Sequence, residues 1–284
     1  MREAQFCPSC AALVDSRLMF YKIGIPIYKC GGCGLGWAMA DGFNPESYYD
    51  ASYFNGGKSD GYSDYASAEE VLREQFSKEL ALICKLGKRQ GHLLELGCAH
   101  GFFLEEAKRY FKVSGVEISK DAVAICHSKG LADVRQGMIS DETLMSIPQV
   151  DVIVMLDVIE HLPTPSSALA SAAAKLQPGG LMMITTGDFA SLFAKLTGKN
   201  WRLMTPPQHL WYFTPFSLKQ MGARLGLEII HLDHPFKKVP IGLMIYQICR
   251  YLSFTPELPK WTHRYGIPVN LFDAMRVVFR KSTQ

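Results

Sequence analysis

No stretch of the sequence is apolar for long enough to cross a bilayer. The longest such run near the end, VPIGLMIYQIC at 239–249, stops well short of the roughly 20 residues a spanning helix needs. The opening MREAQFCPSC lacks the basic-then-apolar pattern and cleavage site of a secretory signal, so export is not expected. Internal repeats and low-complexity tracts are missing too. With 48% hydrophobic and 20% charged residues, the composition excludes disordered and fibrous classes. A net charge of +3 does not demand nucleic acid or a membrane surface as partner. Acids are scarce only locally: residues 235–284 hold eight Lys/Arg against two Asp/Glu, so this tail is +6 and the rest −3. Such a tail suits an anionic substrate or a solvated basic face.

Eight cysteines in 284 residues divide into two kinds. Cys84, Cys98, Cys126 and Cys249 stand singly among apolar neighbours, as reduced core cysteines do, which fits a cytoplasmic protein. Cys7-Pro-Ser-Cys10 and Cys30-Gly-Gly-Cys33 instead form two C-x2-C knuckles separated by one hairpin-length segment. That is the spacing of a four-thiolate Zn2+ site, in which each tight turn aims two sulfurs at one tetrahedral ion. The ion would be structural, since four thiolates leave no open position. A redox role is disfavoured because no strand-helix pattern follows either knuckle. LMFYKIGIPIYKC between them reads as two short strands, giving a zinc ribbon over 1–40.

Residues 41–65 are rich in Tyr, Gly, Asn and Ser without helical periodicity. They read as a Tyr-rich linker: either a lid over a ligand, with a hydroxyl such as that of Tyr65 reaching a polar group, or a strap pinned by aromatic anchors. Helical spacing of Val71, Leu72, Phe76, Leu80, Ile83 and Leu86 ends at Gly87. The chain then alternates, with strands expected at 92–96, 113–117, 132–136, 150–155 and 180–186. Helices are expected at 102–111, 120–129, 141–146, 165–176 and 214–225. Alternation at these lengths implies βαβ units and an α/β fold with a parallel sheet. The last strands fall at 227–233 and 274–281, and two insertions, 187–213 and 235–273, interrupt the domain over 66–284.

The turn after the first strand, HLLELGCAHGFFLE at 92–105, organises the rest. A dinucleotide fingerprint would need G-x-G-x-x-G, but the three positions hold Gly97, Ala99 and Phe102. Phe at the third would obstruct close helix–strand packing. An acid, Glu95, precedes the turn and would repel a pyrophosphate but attract an ammonium. Twenty residues after Gly97, Glu117 ends the second strand, where a carboxylate accepts from both ribose hydroxyls. A nucleoside with an amino group and no phosphate fits better.

These segments, E-L-G-C-A-H-G, Glu117, then VDVIVMLDVIEHL and KLQPGGLMMITT, resemble a class I S-adenosylmethionine-dependent methyltransferase across about 66–284. The ribbon, the linker and HLWYFTPFSL resemble more narrowly a bacterial subgroup linked to sugar and polysaccharide modification. The resemblance implies a Rossmann-like sheet of seven strands with the last antiparallel. It implies that Glu95 and Gly97 line the turn, that Gly101 lets the backbone pass the methionine moiety, and that Glu117 holds the ribose. Met138 and Ile139 would flank the adenine, and Asp157 would face the site of transfer.

For a hydroxyl or carbon-acid acceptor the enzyme must orient the acceptor and remove a proton. Asp157-Val-Ile-Glu160-His161 offers three groups that share one face if the turn is helical. His161 is the natural general base, with Glu160 orienting it or serving itself. Some relatives, including quinone O-methyltransferases, carry E-x-x-E-H plus a distant His to hold a divalent metal. Asp157, Glu160, His161 and His209 would be the equivalent set, with Asp shortening the first ligand by one methylene. The remaining reading is structural, an E-H pair that caps a helix and holds the substrate loop. An Asn/Asp-Pro-Pro-aromatic run and a suitably placed cysteine nucleophile are missing, which disfavours DNA base methylation.

Trp201, His209, Trp211, Tyr212 and Phe213 are expected to wall the acceptor site, or in the plainer reading to plug a long loop. Lys237, Lys238, Arg250 and Arg264 in the second insertion would cap the pocket and meet the phosphates of a nucleotide-linked sugar. A peripheral membrane or subunit contact would use the same features. The leading expectation is a methyltransferase acting on oxygen or carbon of a small molecule, a sugar or cell-surface polysaccharide precursor. The alternatives are a quinone-type metal-assisted O-methyltransferase, a non-catalytic module, and an RNA methyltransferase gripping nucleic acid with its ribbon. The intact Glu95/Gly97/Gly101/Glu117 set argues against the module. Against RNA, residues 1–40 carry only Arg2, Arg17, Lys22 and Lys29 as cations.

Overall fold

Side chains in the central strands alternate between two apolar layers, and this alternation fixes the architecture. In this computed structural model, which describes residues 6–13, 16–40, 42–49, 51–54, 65–242, 244–245, 249, 258–259 and 261–283, three sheets are present. The first strands are β1 (Ser16–Lys22), β2 (Ile25–Cys30) and β3 (Gly36–Ala38). The main sheet draws on β4 (His92–Leu96), β5 (Lys112–Glu117), β6 (Val134–Gln136), β7 (Val150–Leu156) and β8 (Leu176–Gly187). After β9 (Trp211–Tyr212) come β10 (Leu227–Asp233), β11 (Lys237–Pro240), β12 (Gly266–Val269) and β13 (Ala274–Lys281).

The seven-stranded sheet runs β10-β13-β8-β7-β4-β5-β6. All neighbours from β6 to β8 are parallel, and β13 lies antiparallel to both β8 and β10. Leu94, Ile153, Met155, Met182 and Ile184 face one layer, closed by Leu169 and Ala172 of helix Pro165–Lys175 and Leu218 of helix Pro215–Ala223. Leu93, Val152, Val154 and Met183 face the other, closed by helices Glu69–Lys85, Phe102–Ala107 and Lys120–Ser128. Strands buried on both faces read as continuous apolar runs, as VDVIVML does. Because the chain leaves β4 toward β5 and returns on its other side to β7, the switch point opens a crevice at the carboxyl ends of these strands.

The ribbon does not end at residue 40. Its sheet has the order β1-β2-β3-β9, with Gly36 opposite Tyr212 and Trp37 opposite Trp211. The Ser9 hydroxyl donates to the Ser217 carbonyl at 2.6 Å, and Arg224 donates to the carbonyls of Pro8 and Ser9. Cys7, Cys30, Cys33 and Leu35 join the same apolar layer as Leu218 and Met221. In the linker, Phe54 and Tyr65 are buried, whereas 55–64, including Tyr62, lie outside the described residues. Arg250 of the second insertion does too.

Helix Glu69–Lys85, whose buried stripe is Val71, Phe76, Glu79, Leu80 and Ile83, is also held by charge. Buried Arg276 of β13 donates to Glu79 at 2.6 Å and to Asp233 of β10. Truncating Glu79 leaves a buried guanidinium short of one partner, which typically costs about 3–5 kcal/mol. Glu79→Ala is therefore expected to lower the urea midpoint with little change in slope; an unchanged midpoint would show that Asp233 alone satisfies the arginine.

Candidate functional site

A cavity of about 610 Å³ lies at the carboxyl ends of β4, β5, β7 and β8, within the range of small-molecule sites. Glu95, Gly97, Glu117, Met138, Ile139, Asp157, Glu160, His161, His209 and Tyr65 all line it, so ten of the expected site residues are brought together by the fold.

The cofactor half rests on two backbone constraints. Gly97 has φ +80, and a Cβ there would lie 2.5 Å from Val158 Cγ2. Gly101, at φ +74, does not line the cavity. A Cβ on it would meet Leu131 Cδ1 at 2.4 Å and Cys126 Sγ at 3.0 Å, so close packing against Leu131 and Cys126 also requires a glycine there. The Glu117 carboxylate accepts from the backbone N–H of Ala99 at 2.8 Å and of Ser119 at 2.9 Å. Burial pushes its pKa up, against those two donors. Glu95 is wholly buried, its Oε2 has no hydrogen-bond partner, and burial with the nearby Cys126 and Glu117 raises its carboxyl well above the usual range. A buried carboxyl in that state is one that a cation would stabilise.

The acceptor half departs from the expected geometry at Asp157. The helical stretch covers only Ile159–His161, and Asp157 precedes it at φ +57, so the three residues of the D-x-x-E-H run do not share one helix face. Asp157 turns instead to Lys237 of β11, 2.6 Å from its Nζ, and accepts from the Thr185 hydroxyl at 2.8 Å. Desolvation at the cavity wall, where the side chain is still 44% exposed, would raise its pKa, but Lys237 and Thr185 prevail and hold it below the ordinary carboxylate value. The sequence carries no signal for this pairing, which spans eighty residues.

Glu160, His161 and His209 do converge: their ligand atoms lie within 4.8 Å of one another. The two imidazole rings meet edge-on at 4.7 Å between centroids. His161 Nδ1 lies 2.9 Å from the Gln208 carbonyl and 2.9 Å from the Tyr49 hydroxyl. A carbonyl only accepts, so Nδ1 carries the hydrogen and Nε2 the lone pair. The same logic applies to His209, whose Nδ1 lies 2.8 Å from the Leu203 carbonyl. Burial and the neighbouring His161 depress His209 to about 3, so it stays neutral. Burial and the charge of Asp157 raise Glu160 to about 8, and its Oε2 has no hydrogen-bond partner.

The aromatic wall is not built. Trp201, Tyr212 and Phe213 are buried in the core, and Trp211 packs against it; none lines the cavity. Trp201 Nε1 donates to Asp273 and Trp211 Nε1 to the Leu162 carbonyl, while Trp211 and Tyr212 form the strand that meets the ribbon. Of the Phe and Tyr residues that do reach the cavity, Tyr49, Tyr53, Phe54 and Tyr65 come from the linker and Phe76 from helix Glu69–Lys85. Of the cations expected to meet phosphates, Lys237 is engaged by Asp157 and Lys238 by Glu74, and Arg264 does not line the cavity; Arg202, which does line it, is paired to Asp273.

At the ribbon, Cys7 and Cys33 sulfurs are 3.6 Å apart, Cys10 and Cys30 sulfurs 3.8 Å, and all four lie within 4.8 Å of one another. A tetrahedron with Zn–S bonds of about 2.3 Å has S···S edges of about 3.8 Å, so the set fits that ion and is far too wide for disulfides.

The methyltransferase domain family matches residues 68–232. The chain belongs to this family. Its sheet is that of the class I S-adenosylmethionine-dependent methyltransferase fold. A ubiquinone biosynthesis O-methyltransferase of Aeromonas salmonicida is 28% identical over 155 residues, 50% of this chain and 64% of that protein. One from Marinobacter nauticus is 31% identical over 174 residues, 54% and 71% of the two chains. The chain thus spans less than two thirds of the length of the Aeromonas relative. Among solved structures, a magnesium protoporphyrin IX methyltransferase from Synechocystis PCC 6803 has a TM-score of 0.54 at 14% identity, covering 84% of this chain and 98% of that one. An Archaeoglobus fulgidus S-adenosylmethionine-dependent methyltransferase has a TM-score of 0.51 at 20% identity, covering 74% and 94%. At these identities the likeness is one of fold.

In this methyltransferase domain the Gly97 turn abuts Val158, so the cofactor half and the acceptor turn are in contact. Gly97→Ala is expected to cost about 2 kcal/mol or more, from the left-handed backbone and from overpacking a stiff β-branched neighbour; a thermal midpoint equal to that of the wild type would show the turn to be compliant.

Proposed function

We propose that the chain transfers a methyl group from S-adenosylmethionine to an oxygen atom of a small acceptor. The observation that carries this reading is the pair of buried carboxylates at the ends of adjacent strands, Glu95 unpartnered at Oε2 and Glu117 held by two backbone donors. An amino-acid ammonium would satisfy Glu95, and ribose hydroxyls would take the remaining lone pairs of Glu117. Met138 and Ile139 give apolar flanks for an adenine, and Tyr65 offers a hydroxyl on the same wall. S-adenosylmethionine supplies an electrophilic methyl on a sulfonium; orientation and proton removal fall to the protein. Glu117→Ala is expected to weaken binding of S-adenosylmethionine by roughly ten- to a hundredfold, the value of a charge-assisted hydrogen-bond pair. Calorimetry with unchanged affinity would remove the assignment.

For the acceptor, His161 Nε2 is the ring nitrogen with a lone pair that can take a hydroxyl proton. His209, near 3, is too weak a base, and Glu160, near 8, is protonated at neutral pH. Gln208 and Tyr49 orient the ring through Nδ1. His161→Ala should slow turnover with cofactor affinity retained; a fully active variant would exclude the base role.

A second reading has its own observation. The unpartnered Glu160 Oε2 and the three converging ligand atoms form an N,N,O set suited to a divalent cation, with the Leu203 carbonyl orienting His209 from behind. Such an ion would polarise an acceptor oxygen; Asp157, bound to Lys237, is not in the set. Because Glu160 carries its proton below about 8, loading the ion must displace it. Affinity for Mn2+ should therefore rise about tenfold per pH unit up to pH 8 and level off above it. A pH-independent affinity, or none, would leave the base reading alone.

The acceptor class we favour is a largely uncharged, oxygen-bearing molecule of the kind the quinone-pathway relatives' names indicate. A nucleotide-linked sugar is less well served, since Arg202, Lys237 and Lys238, the lysines and arginine that line the cavity, are each paired to an acid. Labelled methyl transfer to phenols but not to nucleotide sugars is the expected result of a screen; the converse would restore the sugar. We also infer structural Zn2+ at Cys7, Cys10, Cys30 and Cys33. Cys30→Ser, or chelation, should lower the thermal midpoint by roughly 10 °C, a few kcal/mol in a chain of this size. A midpoint unmoved by either treatment, or metal analysis with no zinc, would contradict that.

A further inference from the structure

The hairpin tip between β1 and β2 breaks the rules of its own turn. Its two central residues, Ile23 and Gly24, have φ of +44 and +80, the backbone of a tight hairpin turn that ordinarily takes Asn-Gly or Asp-Gly. A β-branched residue in that region is an outlier. The isoleucine gains nothing from packing in return, since its side chain is 72% exposed, as is that of Tyr21 beside it at 60%. Strain held at a site with no internal compensation points to a compensation outside the chain.

A second apolar surface lies alongside. Helix Leu192–Thr197 turns Ala194 and Phe193 inward, where they pack in one cluster with Phe20, Ile25 and Ile27 of the hairpin. Leu192 and Leu196, one turn apart, point away and are 72% and 77% exposed. The two elements are tied directly, Lys22 Nζ donating to the Lys199 carbonyl at 2.8 Å. Charge on these two segments has one sign. Residues 16–40 and 189–227 contain no Asp or Glu at all, while Arg17 and Lys22 lie on β1 and Lys195 and Lys199 on or just after helix Leu192–Thr197.

We propose that the hairpin tip and the outer face of helix Leu192–Thr197 form one docking surface for an anionic lipid bilayer. Exposed aliphatic side chains on elements that carry cations and no acid match an interface where apolar groups enter the acyl boundary and cations meet lipid phosphates. Nucleic acid would use the cations but has no place for three exposed aliphatic side chains. The insertion that carries the helix then runs back into the cavity, where Leu203, Gln208 and His209 line it, so the surface and the acceptor side share one segment. The proposal stands apart from the identity of the reaction.

Sedimentation with vesicles tests it. The full chain should pellet with phosphatidylcholine vesicles containing phosphatidylglycerol, far less with phosphatidylcholine alone, and progressively less as salt is raised. The exposed double variant Leu192→Glu/Leu196→Glu should lower partitioning roughly tenfold or more, since two apolar anchors are lost and two repelled charges added. Ile23→Asn should weaken partitioning while leaving the thermal midpoint equal or higher, because asparagine suits the turn. Calorimetric S-adenosylmethionine binding should be unchanged in both, so a failure here is distinct from failure of the cofactor site. Failure of the wild type to pellet with anionic vesicles would overturn the proposal. So would light scattering that shows a wild-type dimer abolished by the double variant, which would mean that a second copy covers the face.

Discussion

The antiparallel pairing of Gly36 and Trp37 with Tyr212 and Trp211 is the contact on which the acceptor site depends. On one edge this short strand is held by the ribbon. On the other, Leu210 N–H donates to the Glu160 carbonyl at 2.9 Å and Trp211 Nε1 to the Leu162 carbonyl at 2.7 Å. His209 sits two residues before the strand. The ribbon therefore braces both the turn that carries Glu160 and His161 and the segment that carries His209. Four thiolates drawn to one point would make a small metal site the anchor of a constellation on a different domain, as rigid support from behind a site requires.

Charge within the cavity is arranged in opposed pairs. Every lysine or arginine that lines it is matched to an acid, whereas Glu95 and Glu160 each have a carboxyl oxygen with no hydrogen-bond partner. Unpartnered buried carboxyls cost folding free energy unless protonated or met by a cation. The cavity thus has two places awaiting positive charge, one in the cofactor half and one in the acceptor half, and none among its described lining cations awaiting negative charge. That polarity is the physical reason for preferring a sulfonium-bearing amino acid nucleoside to a pyrophosphate ligand.

Much of the fold was legible because burial on both sheet faces leaves an unmistakable run of apolar residues. Strands 92–96, 227–233 and 274–281 agree with the structure to the residue, and 150–155 and 113–117 within one. The helix expected over 102–111 stops at Ala107, since a helix end depends on local capping more than on periodicity. That Glu95, Gly97 and Glu117 would meet at one cavity was legible for a related reason: they lie in or beside the strands that position them. What failed were inferences about side-chain direction across long separations. Trp211 and Tyr212 look alike as a binding wall or as a strand, and only the partner strand at 36–37 decides. Lys237 reads as a free cation until Asp157 is seen beside it, and the left-handed backbone at Asp157 that turns it there has no glycine to announce it.

The most direct test of the account is the choice of ligand by the wild-type chain. Calorimetry should show S-adenosylmethionine and S-adenosylhomocysteine binding with one-to-one stoichiometry, and NAD+ not binding at comparable concentrations, because Glu95 and the crowded Gly97–Phe102 turn oppose a pyrophosphate. Binding of NAD+ with S-adenosylmethionine excluded would contradict it.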